Sequence, residues 1–258
     1  MRLKAILGIS AAIVAVLVIA GGAAWYFVLR DDPPPKVTLA DAVSSISTTT
    51  PGVTTSSSSA TPPASSTSPA ATSPGGSSTS TGLGGTWTPD SSQANFVGYR
   101  VVEQLARVGA NTAVGRTSGV TGQVTIDGAS VTAATITADM TKLRSDNDQR
   151  DGQLRNQAIE YQKYPTATFV LGGPIALPDS VSAGQQTAVS LVGKLTLHGV
   201  TKDVTIPAQV QLKNNLLVIV GSIDIKFADY SINKPNGFSV VSIEDHGAME
   251  LQLFLKKS

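Results

Sequence analysis

Cysteine is absent from the 258 residues. Its absence excludes a disulfide framework, a thiolate metal site, a cysteine nucleophile and a lipid-modified cysteine anchor. An excess of charge of one sign is missing too: the net charge is +1, so no basic face recommends nucleic acid as a partner. Histidine is scarce. His198 and His246 are the only two, and neither has a second histidine at ligand spacing, so no metal site is expected. Glu244-Asp245-His246 before Gly247 reads as a polar turn rather than an acid–base centre, because no nucleophile elbow accompanies it. Asp146-x-Asp148-x-x-Asp151-Gly152 puts its glycine one place late for a calcium loop and has Gln157 where the bidentate Glu belongs. Ser145-Asp146-Asn147 and Ser231-x-x-Lys234 imitate β-lactamase fragments in the wrong order, with no Lys-Thr-Gly following. Phosphate-cradling and dinucleotide glycine loops are absent. The sequence therefore predicts neither an enzyme nor a cofactor.

What is present falls into three zones: residues 1–30, 31–86 and 87–258. Between Lys4 and Arg30 the chain is uncharged and largely apolar, longer than the roughly 20 residues that cross a bilayer as a helix. Residues 5–29 are thus expected to span the cytoplasmic membrane. Arg2 and Lys4 precede this run, whereas Asp31 and Asp32 follow Arg30, a bias that keeps the N-terminus cytoplasmic and the remainder outside. Trp25 and Tyr26 suit the interfacial belt. The alternative is a cleaved signal peptide with a processing site near Gly22 and Ala24, which would release the protein; the length of the run favours the anchor. Either way the domain is exported.

Residues 42–89 carry no charge and are nearly all Ser, Thr, Pro, Gly and Ala. Such a composition cannot bury a core; as a coil of about 45 residues it spans roughly 35–40 Å r.m.s., and residues 31–86 are expected to act as a disordered linker. Ser and Thr with Pro also match O-glycosylated stalks.

From Trp87 onward, short β-rich runs alternate with turn signals. About eight strands are expected, over residues 95–103, 119–126, 130–140, 166–171, 188–198, 204–212, 216–227 and 249–255. Asp127-Gly128 and Asn214-Asn215 have hairpin chemistry. Residues 141–165 are the exception, where Ser145 could cap a short helix over 148–161 that Pro165 stops. Alternation puts Leu191, Gly193, Leu195 and Leu197 on one side of their strand, and Gly193 beside Leu195 suggests space kept for a ligand. The same period gives Val204, Ile206, Val210 and Leu212, then Leu217, Ile219, Gly221, Ile223, Ile225 and Phe227, then Met249, Leu251, Leu253 and Leu255. Periodicity alone leaves a solid core and a lined cavity both open.

The residues also resemble a family. Trp87-Thr-Pro-Asp90, Ser92-x-Ala94-x-Phe96, Gly115, Gly119-x-x-Gly122, Leu143-Arg144-Ser145, Arg150-Asp151-x-x-Leu154-Arg155, Lys163-Tyr164-Pro165-x-x-x-Phe169 and Val192-Gly193-x-Leu195-Thr196-Leu197-His198-Gly199-Val200-Thr201-Lys202 together resemble the YceI-like proteins, known as polyisoprenoid-binding barrels. Departures from the pattern include Ser91, where many members carry a histidine, and Phe227 with Ser231 around Asp229-Tyr230.

The resemblance implies an all-β fold: an extended antiparallel lipocalin-like β-barrel with a short helical excursion near one end. Its inward apolar residues would surround an isoprenoid lipid, either a polyisoprenoid or an isoprenoid quinone. Phe96, Ile136, Phe169, Leu191, Leu195, Leu197, Ile223, Ile225, Phe227, Leu251 and Leu253 are the expected pocket residues. Two other functions stay open at this stage: a structural or interaction barrel filled by its own side chains, and an enzyme acting on a bound lipid.

Overall fold

The structure is a computed structural model, which describes residues 33–46, 82–106, 109–235 and 240–258. The chain divides into two compact units, Met1–Lys36 and Val37–Ser258. Of the first, residues 33–36 are described and carry no regular structure. The expected membrane span lies outside the described residues; among those described, no helix is long and apolar enough to cross a membrane.

The second unit is built on thirteen strands: β1 (Gly85–Pro89), β2 (Phe96–Leu105), β3 (Gly109–Thr117), β4 (Val120–Asp127), β5 (Ser130–Asp139), β6 (Arg144–Ser145), β7 (Thr166–Leu171), β8 (Ile175–Ala176), β9 (Thr187–Leu197), β10 (Val200–Lys213), β11 (Leu216–Lys226), β12 (Val240–Ile243) and β13 (His246–Lys257). Eight of them, in the order β1-β4-β5-β7-β9-β10-β11-β13, form an antiparallel ring that closes through β13 and β1. Closure removes the free edges that an open sheet would expose.

The outer edge of β13 is shared. β1 takes Leu255–Lys257 and β2 takes Ala248–Gln252, and β3 and β6 continue outward from β2. Along the edge of β13 the wall is therefore completed by β1 near one end and by the β2–β3 hairpin near the other.

Local chemistry explains the joints. Asn214 and Asn215 adopt φ of 48° and 61°, the left-handed pair that a two-residue hairpin between right-twisted strands requires. His198 and Gly199 do the same between β9 and β10, at φ of 50° and 75°. The expected Asp127-Gly128 turn forms as well, with Gly128 at φ 57°. Strand β3 was not expected, because Gly109-Ala-Asn-Thr-Ala-Val-Gly-Arg-Thr117 is poor in the β-branched and aromatic residues that mark strands. It forms because β2 offers it a complete antiparallel edge.

The expected helix also differs. Asn147, not Ser145, is its N-cap, with Oδ1 accepting from the Gln149 and Arg150 N–H groups at 2.9 and 3.1 Å. Ser145 instead donates to Asp151 Oδ1 at 2.7 Å. The α-helix α2 (Asp148–Gln153) passes into one π turn at Leu154–Ala158, where Ile159 N–H donates to the Leu154 carbonyl at 2.9 Å. A second helix was not expected at all: α1 (Leu39–Ser44), within the stretch read as a linker, has Leu39 and Ala42 buried.

At the closed end, α3 (Asp179–Ser182) places Val181, fully buried, beneath Leu177, Leu83 and Trp87. The Trp87 indole N–H donates to the Leu83 carbonyl at 2.8 Å. Gly122 is the tightest point of the wall: it sits at φ 134°, and a Cβ there would run into the Thr135 carbonyl oxygen and lie 2.9 Å from Ile136 Cα. Gly122→Ala is expected to cost about 2 kcal/mol or more, since backbone rather than a side chain must give way; a urea midpoint unchanged from that of the unsubstituted chain would contradict this.

Candidate functional site: a two-chambered barrel interior

Directly paired residues share a face of the sheet, so the register decides what points inward. Leu251, Leu253 and Leu255 face in, and their partners on β11 are Gly221, Ile219 and Leu217. On β2 the residue opposite Leu251 is Val97, while Phe96 pairs with Gln252. Phe96 therefore points outward, where the Arg116 guanidinium lies 4.2 Å from its ring centre. The expectation that Phe96 lines the interior was one residue out of register, and such a slip exchanges faces. Val97, Tyr99, Val101 and Glu103 face inward instead.

The interior has two chambers. The inner one, of about 90 Å³, is walled wholly by apolar side chains, among them Ile136, Phe169, Leu191, Leu195, Leu251 and Leu253. The mouth chamber is larger, about 510 Å³, and takes in Leu197, Ile225 and Phe227 together with Tyr99, Glu103, Leu143, Arg150, Ile159, Ile232 and Ile243. Val97, Ala167 and Met249 belong to both walls. Nine of the expected pocket residues thus line one chamber or the other. Ile223 packs against both apolar clusters without fronting a chamber. The space suggested beside Gly193 is already taken: a Cβ there would lie 2.6 Å from Phe169 Cζ. The barrel is nearly solid at its base and hollow at its mouth.

One side of the mouth is polar, with Asn147, Gln149, Gln153, Asn156 and Asn233 on its rim. Its charges are internally matched. Arg150 Nη2 donates to Glu103 Oε1 at 2.7 Å, and Asn111 Nδ2 donates to the same oxygen at 2.8 Å. Arg150 also reaches Asp146. Burial disfavours the guanidinium charge, but the Glu103 carboxylate outweighs it and raises the Arg150 pKa. Burial likewise pushes the Tyr99 phenol far above its ordinary range, so it stays protonated; its hydroxyl is buried with no hydrogen-bond partner. Glu103 and Arg150 were not among the expected pocket residues, because they lie 47 positions apart and no periodicity links them.

The histidines do different work. His198 is buried in the β9–β10 turn, where Nε2 lies 2.9 Å from Glu160 Oε2 and Nδ1 lies 3.0 Å from the Tyr230 carbonyl. Tyr164 packs edge-on at 4.3 Å. This histidine ties the helical excursion to the barrel wall. His246 is on the surface, and its hydrogen bond to Asp245 raises its pKa. Among the described residues no group of three or more His, Asp or Glu side chains could hold a metal ion.

A closed antiparallel barrel with a plugged base, an apolar inner chamber and a wide mouth defines a calyx-like class of proteins. Within it, the chain belongs to the YceI-like domain family, whose model matches residues 86–255. The fold is shared by a polyisoprenoid binding domain from Saccharophagus degradans implicated in plant cell wall breakdown, at 20% identity and TM-score 0.51 over 67% of this chain and 98% of that one. Burkholderia cenocepacia BcnA is similar at 21% identity and TM-score 0.51, over 64% and 98%. No curated protein matches.

Proposed function

We propose that this protein is an extracytoplasmic lipid-binding protein that sequesters or carries an isoprenoid lipid, attached to the cytoplasmic membrane through residues 5–29. The observation that carries the proposal is the two-chambered interior: an apolar inner chamber and a wide mouth share walls at Val97, Ala167 and Met249. A long hydrocarbon tail fits that shape, and burying a few hundred Å² of it at about 25 cal/mol per Å² supplies several kcal/mol before ordering costs. Family membership and the polyisoprenoid-binding relative from Saccharophagus degradans point the same way.

The mouth favours a neutral head group. Arg150 is the one cation among the described lining residues and Glu103 the one carboxylate, and they hold each other. An isoprenoid quinone or alcohol meets amides and the Tyr99 region there, whereas a phosphate would find no uncommitted positive charge among the described lining residues. Binding of this kind needs no catalytic group.

Organic extraction of the purified protein followed by mass spectrometry tests the reading. A co-purifying isoprenoid lipid with an uncharged head is the expected result. An empty extract, combined with failure to bind an added isoprenoid quinone, would remove the lipid-binding function.

A further inference from the structure

We infer that residues 37–46 are a strap fastened to the outer wall of the barrel, where they keep an apolar patch of β11 and β13 covered and closed to association.

The wall carries the first sign. Strand β11 opens with Leu216-Leu217-Val218-Ile219-Val220, apolar on both faces. Leu217 and Ile219 face the interior, which leaves Leu216, Val218 and Val220 outside, beside the outward Phe254 of β13. The solvent side of an antiparallel strand is ordinarily polar, and a contiguous apolar patch left bare invites association.

Here the patch is covered by the chain itself. Leu39, Ala42 and Ile46 fall on one helical face and form a single cluster with Leu216, Val218, Val220 and Phe254. Both sides of the contact are dry: Leu39, Val218 and Phe254 are 0% exposed and Ala42 1%. The helix has its own start signal, since Thr38 Oγ1 accepts from the Asp41 N–H at 3.2 Å and donates to Asp41 Oδ2 at 2.6 Å. Six residues do not hold a helix in water unaided, so contact with the wall orders it. The strap lies outside residues 86–255, which the family model matches.

The absence of native cysteine makes a single introduced thiol a clean reporter. In the full-length chain, Ala42→Cys should react with a water-soluble maleimide roughly tenfold or more slowly than Ser44→Cys, because reaction follows the undocked population. Ser44 lies on the exposed face of the same helix. Adding Leu39→Asp should bring the Ala42→Cys rate up to that of Ser44→Cys, with an unchanged β circular dichroism spectrum. In the unsubstituted chain, the amides of Ala42 and Ser45, which donate to Thr38 and Asp41 at 3.1 Å each, should exchange slowly. Equal rates at the two thiols together with unprotected amides would overturn the strap, as would a Leu39→Asp change without effect.

Discussion

Arg150→Met is expected to lower stability by about 3–5 kcal/mol, because it leaves a carboxylate buried without its counter-charge. Glu103 is 6% exposed and faces the mouth chamber from β2, and Arg150 comes to it from α2. Deleting the guanidinium leaves the Asn111 amide donating to Glu103, a neutral donor for a full negative charge. The loss also unfastens the helical excursion from the wall. Introducing Glu103→Gln into the Arg150→Met background should recover much of the loss, since the amide needs no counter-charge; a coupling of about 1–3 kcal/mol in the double-mutant cycle is the expected signature. An internal contrast is available in Lys194 and Asp203, which sit 2.8 Å apart but are 60% and 84% exposed. Lys194→Met should change the urea midpoint by less than about 1 kcal/mol equivalent. If the two arginine and lysine variants lose stability equally, the Glu103–Arg150 pair does not hold the mouth together.

The second large effect is on ligand content. Leu191→Trp is expected to reduce co-purifying lipid about tenfold while the delipidated protein keeps its stability to within roughly 1 kcal/mol. Leu191 points inward yet is only partly buried, because it fronts the inner chamber. An indole can occupy that space in place of the tail. Leu195, the neighbouring choice from sequence, is a poorer probe, being 3% exposed and backed by the Phe169 ring across Gly193. In a barrel filled by its own side chains the same Leu191→Trp change would cost about 1–3 kcal/mol through overpacking and there would be no lipid to lose. Val192→Thr, on the outer face and 52% exposed, should alter neither quantity beyond about 0.5 kcal/mol. A destabilised Leu191→Trp protein with unchanged lipid content would place the ligand elsewhere.

Both experiments probe features that the sequence shows unequally. Period-two alternation in β9, β11 and β13 marked Leu191, Leu195, Leu251 and Leu253 as inward, because one buried face is enough to print that pattern. The Asn214-Asn215 and Asp127-Gly128 turns were legible from their left-handed chemistry. The YceI-like motifs were spread along the chain closely enough to give the barrel and its helical excursion. Strand β2 was read one residue out of phase, since Phe96 is the larger apolar side chain and only the pairing of Val97 with Leu251 decides which of the two neighbours faces in. Strand β3 was invisible for want of β-forming residues.

By itself, then, the sequence determined the elements whose cause is local: alternation, hairpin turns, the uncharged stretch and the apolar N-terminal run. The tertiary structure decided whatever depends on residues far apart in the chain. It set how much of the interior stays hollow, because cavity volume is the remainder after distant side chains such as Phe169 fill the space beside Gly193. It joined Glu103 to Arg150 across the mouth, and it laid Leu39 and Ala42 on Val218 and Phe254. No pattern of fixed period encodes such meetings, since they exist only once the ring from β1 to β13 has closed.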